Sequence, residues 1–167
     1  MRGKAPSHSI GFTLVELLVT LAVLMLVAGL AMAYGSAGLA RLRVEMASRR
    51  VLLGLEEGRN VAVRRGQPCG LHLGEKGWEA PASGSLAPCP GVIVPLVEGI
   101  ESSVVELEHN FPDTVRFTSN GLILDGGTVV LRADGTELER CVVVSLPLGV
   151  TRVGRMASGA CQRDGSL

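Results

Sequence analysis

The chain is poor in aromatic residues, with one Trp, one Tyr and three Phe among 167 positions. So few rings exclude the aromatic platforms on which single-stranded nucleic acids stack. It also lacks net charge: sixteen basic residues balance sixteen acidic ones. Bulk electrostatics therefore select no polyanionic or polycationic partner. No Cys-x-x-Cys pair occurs. Cys69-x-x-His72 is the nearest metal-like spacing, and one half-site does not make a zinc centre. No Gly-x-Ser-x-Gly elbow surrounds a serine, and Ser119-Asn120-Gly121 reads as a turn. His8, His72 and His109 stand without partner motifs, and Asp113, Asp125 and Asp134 fall where Asp caps turns. No catalytic constellation, cofactor motif or metal set can be assembled, so the chain reads as a non-enzyme without a cofactor. No internal repeat is found.

What is present begins with a long apolar run. Residues 12–33 carry a single charge, Glu16. As a helix they span about 33 Å, enough for the hydrocarbon core of a bilayer. A secretory signal would have a shorter apolar core followed by a small-residue cleavage site. Here the small and polar residues, Ser7 to Gly11, precede the run, and Arg2 and Lys4 precede them. The positive-inside rule leaves the N-terminus in the cytoplasm and sends the rest outward. Glu16 is the anomaly. A carboxylate at the centre of a membrane helix costs about 2.5–3.5 kcal/mol on insertion scales, and less near an end. Either Glu16 reaches the headgroups or it finds a cationic partner on assembly. Cleavage after Gly11 would create such a cation, an α-amino group on Phe12, which a neighbouring subunit could offer to Glu16.

Past the membrane run the helical pattern continues. Ala40, Val44, Ala47, Val51, Leu55, Gly58 and Ala62 recur at three- and four-residue steps, an apolar stripe suited to cover a globular domain. Gly66-Gln67-Pro68 stops the helix. Over residues 34–65 seven arginines stand against three glutamates, mostly off the stripe. From Gly66 onward seven basic residues face twelve acidic ones.

That second half reads as β. Residues 104–110 and 114–118 alternate, and residues 127–133 lead through Asp134-Gly135 into residues 141–146, apolar on both faces and so an inner strand. Residues 74–91, rich in Gly, Pro and Ser, read as loop. Cys69, Cys89, Cys141 and Cys161 permit three connectivities. Their spacings and the exported context favour two local disulfides, Cys69–Cys89 and Cys141–Cys161. The fold class is α+β. The expected organisation is a leader (1–11), a transmembrane half-helix (12–33), an amphipathic half-helix (34–66) and a β-rich domain (67–167).

Ile10 to Leu24, IGFTLVELLVTLAVL, resembles the class III signal of type IV pilins and type II secretion pseudopilins. Gly11, Phe12 and Glu16 match that pattern one for one: a leader ending in Gly, an aromatic first mature residue, and Glu at mature position five. The resemblance implies cleavage after Gly11 by prepilin peptidase, N-methylation of Phe12, and a role for Glu16 in assembly. Many pilins have a kinking Pro where this chain has Ala33, so a proline kink is not expected. Glu56 to Pro68, EEGRNVAVRRGQP, is similar to the helix end of GspH/FimT-type pseudopilins, and VRFTSNGLIL, GTVVL and CVVVSLPLGVTRVG resemble that family's C-terminal half. The implied fold is a long N-terminal helix packed on a small antiparallel β-sandwich. The implied partners are prepilin peptidase, other pilins or pseudopilins, the inner-membrane assembly platform and membrane lipid. The implied location is the inner membrane with a periplasmic domain, then the filament. The function is that of a minor pilin or pseudopilin in a pilus or type II secretion pseudopilus. The alternative is a DNA-binding minor pilin of a competence pilus, because some FimT-type members bind double-stranded DNA through a C-terminal Gly-Arg-x-Arg loop. Here Gly149-Val150-Thr151-Arg152 keeps only the second Arg, and Arg155 and Arg163 lie close enough in sequence to compensate.

Overall fold

The computed structural model describes residues 12–82, 84, 86–97, 105–146 and 148–164. The leader, with Gly11, lies outside the described residues, as does Val104. The described elements are α1 (Leu14–Arg65), β1 (Cys69–Gly74), β2 (Gly77–Glu79), β3 (Val94–Pro95), β4 (Val105–His109), β5 (Val115–Phe117), β6 (Gly127–Ala133), β7 (Arg140–Ser145), β8 (Val150–Ala157) and β9 (Ala160–Arg163). The chain divides into two compact units, Met1–Ser36 and Ala37–Leu167. In the first unit, residues 12–31 are exposed throughout. Their helix is long and apolar enough to cross a membrane.

In the second unit the predicted stripe is the buried face of α1. Ala40, Val44, Ala47, Val51, Leu55, Gly58 and Ala62 are all buried. The helix ends where Gly66 adopts a φ of 62°. Gln67 N–H donates to Ala62 O at 3.2 Å and Gly66 N–H to Val63 O at 3.1 Å. This paired closure satisfies carbonyls that would otherwise be orphaned, and glycine takes the left-handed position without penalty. Pro68 then prevents the helix from resuming.

The strands form two antiparallel sheets, ordered β3-β2-β1-β5 and β4-β6-β7-β8-β9. The helix packed on these antiparallel sheets is an α+β, pilin-like architecture. As expected, β7 is an inner strand, flanked by β6 and β8. Two expectations are corrected. Residues 74–91 are not all loop, because β2 runs through them and pairs with β1 and β3. The reason is Trp78, which is 1% exposed and fills the space between β2 and α1. The stretch after Gly149 is not a loop either: it forms β8, paired along its length with β7.

Contacts along α1 differ with height. Toward its C-terminal end it meets the four-stranded sheet. Trp78 Nε1–H donates to Val51 O at 3.0 Å. A Cβ added at Gly54 would sit 1.9 Å from Trp78 Cδ1, and one at Gly58 would sit 2.7 Å from the Phe117 ring. Two glycines one turn apart thus let the aromatic side chains lie directly on the helix backbone. Nearer the start of this unit the helix meets the five-stranded sheet. Arg140 on β7 is 4% exposed. Its Nε donates to Glu45 Oε1 at 3.0 Å, its Nη2 donates to the same oxygen, and its Nη1 donates to Asp164 Oδ2 at 2.6 Å. Burial is the largest influence on this guanidinium and pulls its pKa down. The hydrogen bonds and charges of Glu45 and Asp164 together outweigh it and hold the pKa above the ordinary arginine value.

The cysteines pair as Cys69–Cys89 and Cys141–Cys161, each closing a separation of 20 residues. A loop of that size implies about 3 kcal/mol of stabilisation on the chain-entropy model. The second bridge runs from β7 to β9 over Gly154 of β8. A Cβ there would lie 3.1 Å from Cys161 Sγ and 2.1 Å from Gln162 O. Glycine is therefore what lets β9 fold across β8.

Candidate functional site

The predicted site residues fall in two places. At the membrane end, Thr13 immediately precedes α1, and Glu16 N–H donates to Thr13 Oγ1 at 3.3 Å. Leu17 N–H donates to Thr13 O at 3.1 Å. Thr13 is thus the N-cap and Glu16 the third helical residue, the spacing of a capping box. Sequence reasoning missed Thr13 although the Thr-x-x-Glu signal was present. The cap starts the helix two residues after Phe12, and Glu16 stands in the first turn, where the helix dipole favours a negative charge. Phe12 and Glu16 are both exposed. Among the described residues Glu16 has no ion-pair partner, so its carboxylate is open to a cation from outside the chain.

At the other place are the C-terminal arginines. Arg152 and Arg155 lie on β8 and Arg163 ends β9, all exposed. Side chains alternate along a strand, so positions 152 and 155 face opposite sides. Arg163 pairs with Gly154 and so shares the Arg152 side. Arg152 Nη2 donates to Ser145 Oγ at 3.1 Å. Arg152 and Arg163 line a cleft with Arg49, Glu45 and Asp164. The structure therefore brings Arg152 and Arg163 together, adds Arg49 from the helix, and separates Arg155. Arg49 could not be found from strand spacing, because it reaches the cleft from another element. Glu45 and Asp164 are engaged with Arg140.

Cys69 is held in a disulfide, so Cys69-x-x-His72 offers no thiolate to a metal. His72 Nδ1 lies 2.7 Å from Asp113 O. Among the described residues no group of three or more His, Cys, Asp or Glu is placed to hold a metal ion.

An apolar, exposed helix that opens on a capped glutamate and continues into the buried spine of an antiparallel β head defines a pilin-like subunit. The family model for type II transport protein GspH matches residues 47–148, and that for the prokaryotic N-terminal methylation motif matches residues 7–32. The chain belongs to the GspH family. No curated protein and no solved structure matches it. The family is structural rather than catalytic, and its members are pilins or pseudopilins of type II secretion or type IV pilus systems. The prepilin signal implies processing by prepilin peptidase and assembly with other pilins or pseudopilins. Together with the apolar helix it fits an anchor in the inner membrane.

Proposed function

We infer that this chain is a minor subunit that primes or builds a pseudopilus or pilus. It waits in the inner membrane with its N-terminus in the cytoplasm and its β head in the periplasm. Prepilin peptidase removes residues 1–11, Phe12 becomes the methylated N-terminus, and the subunit is drawn into the filament by its helix. One observation carries this reading: the methylation motif spans Gly11, Phe12 and Glu16, and the helix that follows is apolar and exposed. Intact-mass measurement of membrane protein tests it. With the peptidase present the mature species should begin at Phe12; a mature species that keeps Met1 would sink the reading.

Glu16 gives a second expected result. Glu16→Ala removes a charge from an apolar helix, so membrane insertion is retained. Incorporation into sheared filaments falls, because the α-amino group of a neighbouring Phe12 loses its counter-charge. Recovery of the variant in filaments at the parent level would refute that role.

Capture of double-stranded DNA is the second reading, and the shared cleft of Arg49, Arg152 and Arg163 favours it. Val150 in place of an arginine and the acidic excess after Gly66 weigh against it. Binding to duplex DNA should therefore be weak and independent of sequence. Three neutralised phosphates give a log–log salt slope of about −3. Replacing Arg152 and Arg163 by Ala should abolish it, whereas Arg155→Ala should leave it nearly unchanged. Gel-shift titrations at two salt concentrations decide the matter; tight binding that survives the double substitution refutes this site.

A further inference from the structure

Two chain segments cross at the end of the head that lies beside the last turns of α1. One is the stretch before β6, where Ile123 bridges to Phe117. The other is the turn between β7 and β8, which carries Leu146 and Leu148. They touch where Ile123 meets Gly149: a Cβ at Gly149 would lie 3.0 Å from Ile123 Cβ. Gly149 has a φ of 63°, so glycine serves both the turn and the close approach. Leu146 reaches back to Gly126, where an added Cβ would lie 3.0 Å from its Cγ. Ile123 is buried, and alternation along an extended segment turns Leu122 and Leu124 the other way, outward. With Leu146, Leu148, Val150 and Val63 of the helix they form one apolar surface, exposed from 45% at Leu122 to 69% at Leu148. Val63 joins it through Gly121, where a Cβ would lie 2.8 Å from Val63 Cγ2.

Two guanidinium groups border this surface. The stem of Arg59 lies against Gly121, and its Nη2 donates to Gly149 O at 3.1 Å. Among the described residues its Nε is buried without an acceptor. Arg152 shares a face of β8 with Val150, and its Nη2 donates to Ser145 Oγ, next to Leu146. Neither arginine makes an ion pair among the described residues. Asp125, the acid of the neighbouring connection, is already gripped by Arg116 through bonds of 2.9 and 2.8 Å. The surface is therefore apolar in its middle and cationic, without counter-charge, at its rim. That combination selects the occupant. Duplex DNA would satisfy the arginines and set phosphates against leucine. A neutral apolar surface would bury the leucines and take the arginines out of water unpaired, which is costly. Two copies meeting patch to patch would bring arginine against arginine. An apolar segment flanked by carboxylates satisfies both parts at once. Size points the same way. Six side chains about half exposed present roughly 500 Å², the scale of patches that mark binding sites. A stable pair of subunits takes about 800 Å² on each side. The patch thus suits a short segment of a partner, not a second head.

We propose that this surface docks a segment of a different protein, apolar in its middle and acidic at its ends. Leu122, Leu124, Leu146 and Leu148 receive its apolar side chains, and Arg59 and Arg152 receive its carboxylates. The site belongs to the head alone, and Arg59 stands about 33 Å along the helix from Ala37, where this unit begins. The proposal goes beyond the subunit reading and does not depend on processing at Gly11. It competes with duplex DNA for Arg152 but not for the leucines.

The test uses the full chain in phosphatidylcholine nanodiscs, with empty nanodiscs as the reference. The probe is a fluorescein-labelled peptide in which glutamates flank a run of leucines. Its lysine-for-glutamate and serine-for-leucine analogues are titrated beside it by fluorescence anisotropy. The parent should bind the first peptide at least tenfold more tightly than either analogue. Leu146→Ser with Leu148→Ser should weaken that binding about tenfold, the effect of losing a central apolar contact. Arg152→Glu should weaken it about fivefold, the effect of losing one exposed ion pair, and should strengthen binding of the lysine analogue. That exchange of preference is one a merely structural arginine would not produce, and it decides the matter even where the leucine variant melts early. No binding of the leucine–glutamate peptide by the parent overturns the proposal, as does equal binding of the three peptides. Binding that survives in a folded leucine variant places the surface elsewhere and overturns it too. Duplex DNA that binds the parent where the peptide does not assigns the arginines to phosphate. Paired copies in the parent that Leu148→Ser returns to single ones make a second copy the occupant. Either result overturns the proposal and leaves the subunit reading standing.

Discussion

Arg140→Met lowers the thermal midpoint of the β head by roughly 10 °C, on a loss of about 3–5 kcal/mol. Methionine keeps the length and apolar stem of the arginine, so packing is largely preserved. What disappears is the guanidinium that Glu45 and Asp164 both engage. The side chains of those acids are only 24% and 19% exposed, so water replaces the guanidinium poorly. Removing one partner from a buried ionic group costs far more than never having built it. Replacing all three by apolar residues, Glu45→Leu, Arg140→Met and Asp164→Leu, should therefore recover much of the loss. The raised pKa of Arg140 fixes the pH behaviour. A group whose pKa is raised on folding stabilises below its unfolded value and loses that effect only as pH climbs past the folded one. For this arginine both lie at the alkaline extreme, so no loss from its titration is expected around neutrality. Circular-dichroism melts of the detergent-solubilised chain measure all of this. A single variant within 1 °C of the parent would refute the account.

Gly54→Ala is the second large effect, and its sign opposes helix propensity. Alanine in a helix interior is favoured over glycine by about 1 kcal/mol. At Gly54, however, the new methyl would stand 1.9 Å from Trp78 Cδ1 and 2.4 Å from Trp78 Nε1. The indole cannot turn aside in place, because its N–H is tied to Val51 O. It must back out of the core, where overpacking costs about 1–3 kcal/mol and an abandoned buried hydrogen bond a similar amount. The net expectation is a loss of roughly 2–4 kcal/mol. Tryptophan fluorescence reports it directly: the emission should shift to the red as the ring meets water. Gly38→Ala, with nothing within 4 Å of the added atom, is the control and should be neutral or stabilising.

How far the molecule is legible in its sequence follows from how local each determinant is. The buried stripe from Ala40 to Ala62 is a spacing along one helix, and it reads correctly. So do β6 and β7, whose apolar runs and Asp134-Gly135 turn are contiguous. Trp78 is different. It lies in a stretch dominated by loop formers, and what makes that stretch a strand is the absence of a side chain at Gly54, far away in sequence. The arginines fail to read for a similar reason. Proximity in sequence suggested that Arg152 and Arg155 act together, whereas the pleat of β8 separates them and the fold substitutes Arg49. Arg140 gave no sequence signal at all, because its partners Glu45 and Asp164 come from opposite ends of the head. Thr13, by contrast, was readable: its role is set by a residue three places away.

The helix is held to the sheets at two heights, by Arg140 gripping Glu45 and by the Trp78 indole seated in the gap at Gly54. A rod pinned at one point can swivel, but a rod pinned at two points around its circumference cannot. Torque applied to the helix between Ala37 and Arg65 therefore turns the β head with it, because slip would require drawing a guanidinium off its carboxylates and an indole out of the core at once. The head behaves as a fixed key on its shaft, and its orientation is set wherever that stretch of helix is set.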